Sequence, residues 1–116
     1  MKVIDREQFD ENFQYYDRNT IRAVIENFTE EAEERLNDME RNITGHNFEK
    51  LAFNAHSFKS VIGNFMAPQP FEVCKNLEDM AKRKIETNIM NVFSELKTLT
   101  SALQTELMEY LDKSPN

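Results

Sequence analysis

Apolar residues recur at steps of three and four along a long stretch of this chain, and that spacing constrains its fold more than any other feature. The positions are Ile21, Val24, Ile25, Phe28, Ala32, Leu36, Met39 and Ile43. A spacing near 3.6 residues is the period of an α-helix, whereas a half-buried strand repeats every two residues. Residues 19–44 are therefore predicted to form one long amphipathic helix with a continuous apolar stripe.

Turn residues are scarce, since the 116 residues include only 2 Gly and 3 Pro. An all-β domain of this size would need many more, so a helical protein is favoured. The few breaks divide the chain into five helices, over about residues 5–16, 19–44 and 47–66, then from Pro70 and from residue 88. Gly45 is expected to end the second helix, because glycine accepts left-handed backbone.

These helices predict an all-α fold, an antiparallel four-helix bundle with a short additional N-terminal helix. One domain is expected over residues 1–116, with residues 111–116 as a frayed tail. A single bundle accounts for the apolar stripes, so a monomer is expected.

The charge balance excludes several kinds of partner. Fourteen Lys and Arg residues against 21 Asp and Glu residues give a net charge of -7, which is the opposite of what a nucleic-acid binder needs. No apolar run approaches the roughly 20 residues that cross a bilayer, and the first residues lack an apolar signal core. A cytoplasmic protein that binds neither nucleic acid nor membrane is expected.

Residue types also exclude most catalytic centres. A single cysteine, Cys74, permits no intrachain disulfide framework and no multi-cysteine metal site. A di-metal bundle needs Glu-x-x-His, but Phe53 lies three residues before His56 and Ile43 three before His46. No metal or cofactor is expected, and the chain has no glycine-rich phosphate loop. His46 lies at a helix junction, where a structural or neutral role is expected.

His56 occupies a different place, on the flank of the third predicted helix. The buried face of that helix is formed by Leu51, Ala55, Phe58 and Ile62. A rotation of ~100° per residue places Lys59, Ser60 and Gly63 on the same flank as His56. Phe53 falls opposite the buried face, so it is expected to be an exposed aromatic residue suited to docking a partner.

This strip of residues could support phosphorylation. An exposed neutral imidazole is a nucleophile, and Lys59 leans toward the helix N-terminus, where it can stabilise added negative charge. A glycine inside a helix costs about 1 kcal/mol relative to alanine, so Gly63 suggests that another backbone comes close, and Ser60 also has a small footprint. Spacing alone is equally compatible with an ordinary surface histidine and a close-packing glycine.

Residues 55–63 resemble the signature of histidine-containing phosphotransfer (HPt) domains, Ala-His-x-Leu-Lys-Gly followed by small residues. The match includes Ala55, His56 and Lys59, with Phe58 in place of leucine and Ser60 in place of the glycine. Met66 stands where relatives often have a further glycine. A long helix before the histidine helix and an antiparallel pair after it extend the resemblance over nearly the whole chain.

The resemblance implies a phosphocarrier without its own ATP site. His56 would accept a phosphoryl group from a receiver-domain aspartyl phosphate and pass it to another receiver, and Lys59 would stabilise it. Glu78 and Lys82 fall where relatives carry supporting residues on the facing helix. Receiver domains of response regulators, or a hybrid sensor histidine kinase, would be the partners, and the receiver would hold Mg²⁺. The alternative is a helical interaction module that is never phosphorylated.

Overall fold

The computed structural model describes residues 1–113, which form five α-helices joined by short connections. Their bounds are α1 Arg6–Phe13, α2 Arg18–Thr44, α3 Phe48–Gly63, α4 Pro68–Lys82 and α5 Ile89–Lys113. The all-α prediction is confirmed. None of the helices within the described residues is both long and apolar enough to cross a bilayer.

Helices α2 to α5 form a closed four-helix ring in which each helix packs against two others. Helices α2 and α3 run in opposite directions, since Asn54 of α3 donates to Asn42 while Ser57, further along α3, accepts from the earlier Arg35. Helices α2 and α5 are also antiparallel, because Gln104 contacts Thr29 whereas the earlier Lys97 contacts the later Glu40. The bundle is therefore antiparallel, as predicted.

The core fixes the rotation of α3. Leu51, Ala55, Phe58 and Ile62 are fully buried, and the Phe58 ring stacks on Phe28 with ring centroids 6.1 Å apart. Burying this face turns the residues on its flank outward. The wheel prediction for α3 is confirmed.

The N-terminal segment is held across one end of the bundle. Phe9 is fully buried and its ring meets Tyr110 of α5 edge-on at 5.0 Å. The buried carboxylate of Glu106 accepts the backbone N–H groups of Val3 and Ile4 at 2.7 and 3.0 Å. The N-terminal segment is thus attached by the apolar packing of α1 and by the buried side chain of Glu106, which binds the residues before that helix.

Several helix ends differ from those predicted. The Asp17 side chain caps α2, accepting the N–H groups of Asn19 and Thr20, so this helix begins before residue 19. Gly45 has φ -88°, and the left-handed backbone expected there is adopted by His46, with φ 55°. Gly45 therefore ends α2 without the left-handed conformation.

The ends of the four other helices also differ from those predicted. Helix α1 stops at Phe13, well before residue 16. Helix α3 ends at Gly63 and not at Met66, whose φ of 54° leaves the helical region. Helix α4 begins at Pro68, where a missing N–H costs nothing. Helix α5 continues to Lys113, and Leu111 is buried within it. The frayed tail expected over residues 111–116 stays a prediction, and residues 114–116 lie outside the described part.

Candidate functional site

His56 lies on α3 with 62% of its side chain exposed. Its neighbour Ala55 belongs to the buried face, so the helix turns the imidazole toward the α3–α4 groove and solvent. The prediction that this histidine is on a flank and not in the core is confirmed.

The antiparallel packing of α4 brings Glu78 directly beside His56. Glu78 Oε2 is 3.0 Å from His56 Nδ1 and 2.9 Å from Lys82 Nζ, while its Oε1 is 2.8 Å from Lys59 Nζ. Only 5% of the Glu78 side chain is exposed. One nearly buried carboxylate therefore gathers an imidazole and two ammonium groups from two helices.

The charge on Glu78 is stabilised by these donors. Burial by itself would raise the pKa of this carboxyl, but hydrogen bonds from Lys59, Lys82 and His56 outweigh it and lower the pKa to about 2. Glu78 is thus a carboxylate at all physiological pH values. Two lysines against one carboxylate leave one positive charge beside the ring.

The contact with Glu78 selects one tautomer of the neutral imidazole. An ionised carboxylate only accepts hydrogen bonds, so Nδ1 must carry the proton that it donates to Glu78. The lone pair then resides on Nε2. Because the ring is mostly exposed, an incoming electrophile can meet this nitrogen.

Lys59 contacts the site through Glu78, which the sequence did not predict. Its ammonium was expected to lean toward the imidazole, whereas the structure pairs it with the carboxylate of Glu78 on the next helix. The stem is largely covered, with 18% of the side chain exposed, and the ammonium lies 6.0 Å from the centre of the Phe71 ring. The lysine is therefore prepositioned near His56 through Glu78.

The small residues of the strip have different surroundings. Ser60 is exposed, and its hydroxyl donates to the His56 carbonyl 3.2 Å away within α3. Gly63 is the last residue of α3 and not a mid-helix glycine, and a Cβ there would lie 3.4 Å from the Phe71 ring. Its close neighbour within this chain is therefore a side chain of α4, and the approach of a partner's backbone stays a prediction.

Phe53 lies one turn before His56 with 74% of its surface exposed. This confirms the expected exposure and places an apolar ring on the same helix as the imidazole. A large apolar side chain in water is a common feature of surfaces that bind partners.

Cys74 lies beneath the site, buried in the α3–α4 interface. Its Sγ donates to the Ala55 carbonyl at 3.2 Å. Burial, with a further contribution from the negative charge of Glu78, raises the pKa of the thiol to about 12. The thiol therefore stays protonated and serves packing.

The other histidine lies at the α2–α3 turn. His46 Nδ1 is 2.6 Å from Glu86 Oε1, and both side chains are mostly exposed. This pair lacks the buried carboxylate and the flanking lysines of the His56 site. Across residues 1–113 no three His, Cys, Asp or Glu side chains are grouped to hold a metal.

A protein-family model described as the Hpt domain matches residues 23–111. The chain belongs to the Hpt domain family. Hpt domains act in histidine phosphotransfer within phosphorelays, where they are phosphocarriers rather than kinases and interact with receiver domains. The range matched to the Hpt family includes α3 and α4 with the site described above, whereas α1 precedes it. Searches of the curated proteins and of the solved structures found no match.

Proposed function

We propose that this chain relays a phosphoryl group between receiver-domain aspartates through a phosphohistidine at His56, without an ATP site of its own. The observation that carries the proposal is the contact between the exposed His56 ring and the buried Glu78 carboxylate at 3.0 Å. It fixes which ring nitrogen is protonated and leaves the other free to react.

The transfer needs no proton to leave the histidine. The Nε2 lone pair attacks the phosphorus of the aspartyl phosphate, the bond from phosphorus to the carboxyl oxygen breaks, and the aspartate departs as a carboxylate. The ring keeps its Nδ1–H and becomes positively charged, and Glu78 accepts that hydrogen bond throughout. Return of the phosphoryl group to a second aspartate reverses the same steps.

The surrounding charges suit such a carrier. Phosphoryl transfer depends chiefly on positioning and on neutralising charge, and the ammonium groups of Lys59 and Lys82 already lie against the carboxylate that contacts the ring. The receiver would supply its acidic pocket, Mg²⁺ and lysine. Phe53 and the small side chain of Ser60 would contact the docked receiver on either side of His56.

The decisive experiment incubates the chain with a ³²P-labelled receiver domain and locates the label by mass mapping. Wild type and His46→Gln should both take up an acid-labile label, whereas His56→Gln should take up none while keeping its helical circular dichroism. His46 is a matched control, since its Nδ1 also faces a glutamate. Label acceptance by folded His56→Gln would overturn the proposal, and a wild type that binds receivers without ever being labelled would favour the interaction module.

A further inference from the structure

Glu78 holds both site lysines in the free protein. Its Oε1 forms an ion pair with Lys59 Nζ at 2.8 Å and its Oε2 with Lys82 Nζ at 2.9 Å, although the carboxylate is almost buried. An ammonium already paired with a carboxylate attracts a second anion much less strongly than an unpaired one. In the unmodified protein Glu78 therefore offsets about one of the two positive charges near His56 and engages both ammonium groups.

We propose that Glu78 is a specificity-determining residue that lowers the reactivity of His56 toward free small phosphodonors relative to its reactivity toward a docked receiver. This inference rests on the proposed function and adds a restriction on the phosphodonor. Small donors such as phosphoramidate and acyl phosphates carry their negative charge to the site unaided. They must draw the lysines away from Glu78 before those lysines can assist.

A docked receiver does not face the same barrier. It brings its own cations to the phosphoryl group, and its contact surface supplies binding free energy that a small donor lacks. Once the phosphoryl group is held over the ring, its charge competes with Glu78 for the lysines. The same carboxylate thus hinders one class of donor more than the other.

The test compares two donors in wild type and Glu78→Gln. Phosphoramidate is the small probe: its P–N bond breaks as the Nε2–P bond forms, and ammonia leaves with the protons already on its nitrogen. A phosphorylated receiver domain at saturating concentration is the second donor. Any effect of Glu78 on the nucleophilicity of the ring alters both rates, so the ratio of the phosphoramidate rate to the receiver rate isolates the effect of the freed lysines.

We expect that ratio to rise roughly fivefold in Glu78→Gln, as for the release of about one ion pair at a partly exposed site. The double variant Glu78→Gln/Lys82→Gln should lose much of the gain, because the freed Lys82 would be one of its sources. Glu86→Gln, which alters the carboxylate beside His46, is the matched control and should leave the ratio unchanged.

The outcomes separate this inference from the proposed function. An unchanged or lowered ratio in Glu78→Gln, with wild type labelled normally at His56, overturns the inference and leaves the function intact. A gain that persists fully in the double variant overturns the role assigned to Lys82. Failure of wild type to be labelled by either donor overturns the proposed function itself. Inorganic phosphate binding, followed by the His56 NMR signals, should tighten in Glu78→Gln and gives a readout independent of transfer.

Discussion

His56 Nδ1 lies 3.0 Å from Glu78 Oε2, and this contact joins the exposed ring of α3 to a nearly buried carboxylate of α4. The imidazole therefore has a fixed orientation although most of it is in water. A side chain held in this way loses less rotational freedom when it reacts.

Replacing Lys59 by methionine should slow phosphoryl transfer from a receiver about tenfold, because the substitution removes a charge-assisted contact to the phosphoryl group. Methionine keeps an apolar stem for packing against Phe71, so the bundle should remain folded. Lys50→Met removes an exposed lysine of the same helix and serves as the control. Single-turnover transfer measures the effect, and equal rates for the two variants would remove Lys59 from the site.

Replacing Phe53 by serine should weaken receiver binding about fivefold without changing the free energy of unfolding by more than about 0.5 kcal/mol, since the ring is mostly in water. Met108→Ser alters an exposed apolar residue of α5, which is diagonal to α3 in the bundle. Titration calorimetry with a receiver domain gives both affinities. If the Met108 variant is the weaker binder, Phe53 does not lie on the docking surface.

Ser60→Leu should slow receiver transfer several-fold, because a large side chain one turn after His56 would obstruct a docked receiver. Gly63→Ala should leave transfer intact and raise the free energy of unfolding by up to about 1 kcal/mol, since alanine favours the helix and its Cβ makes an ordinary contact with Phe71. Transfer rates are compared for the two variants, and urea denaturation measures the free energy of unfolding of Gly63→Ala. A loss of transfer in Gly63→Ala would instead show that a docked partner approaches closely at that residue.

Glu78 should make part of the free energy of unfolding depend on pH. The pKa of its carboxyl is lowered from 4.5 to about 2 in the folded chain, so the unfolded state binds a proton first as the pH falls. This contribution to the free energy of unfolding is complete above about pH 5 and is lost as the pH falls through about 2. The stability difference between wild type and Glu78→Gln should therefore shrink over that interval in urea titrations. A constant difference would show that Glu78 titrates normally.

Glu106→Ala should detach the N-terminal segment, because the N–H groups of Val3 and Ile4 lose their buried acceptor. The loss should cost about 1–3 kcal/mol. Hydrogen exchange at these two amides should accelerate, whereas Glu106→Gln, which retains an acceptor oxygen, should protect them. Unchanged exchange in Glu106→Ala would mean that the apolar contacts of Phe9 alone hold the segment.

Periodicity predicted the helices well because each long helix buries one continuous stripe. The spacing from Ile21 to Ile43 specifies α2 without any tertiary information. Helix ends were less predictable, since they depend on single capping side chains. The Asp17 side chain begins α2 by accepting hydrogen bonds of 2.6 and 3.3 Å from the N–H groups of Asn19 and Thr20, the two residues that the sequence offered as caps.

The sequence pointed to the residues of the candidate site but did not predict the contacts between their side chains. The exposure of His56 follows from the face on which it lies, whereas the burial of Glu78 depends on the register between α3 and α4, which local spacing does not fix. The i,i+4 spacing of Glu78 and Lys82 places both on one face of the helix, but their ion pair and the contact with Lys59 are visible only once the helices are packed. Glu106 had a signal that was missed: a charged residue three positions after Leu103, on the apolar stripe of α5, indicates a buried partner.

The buried Cys74 has a practical consequence for following this protein in solution. It is the only cysteine of the chain, and its thiol, with a pKa of about 12, will react very slowly with maleimides at neutral pH. A cysteine introduced on the surface of α5 would take a fluorophore selectively in an otherwise native background. Receiver binding and release could then be timed by fluorescence, with the dye on the helix diagonal to His56.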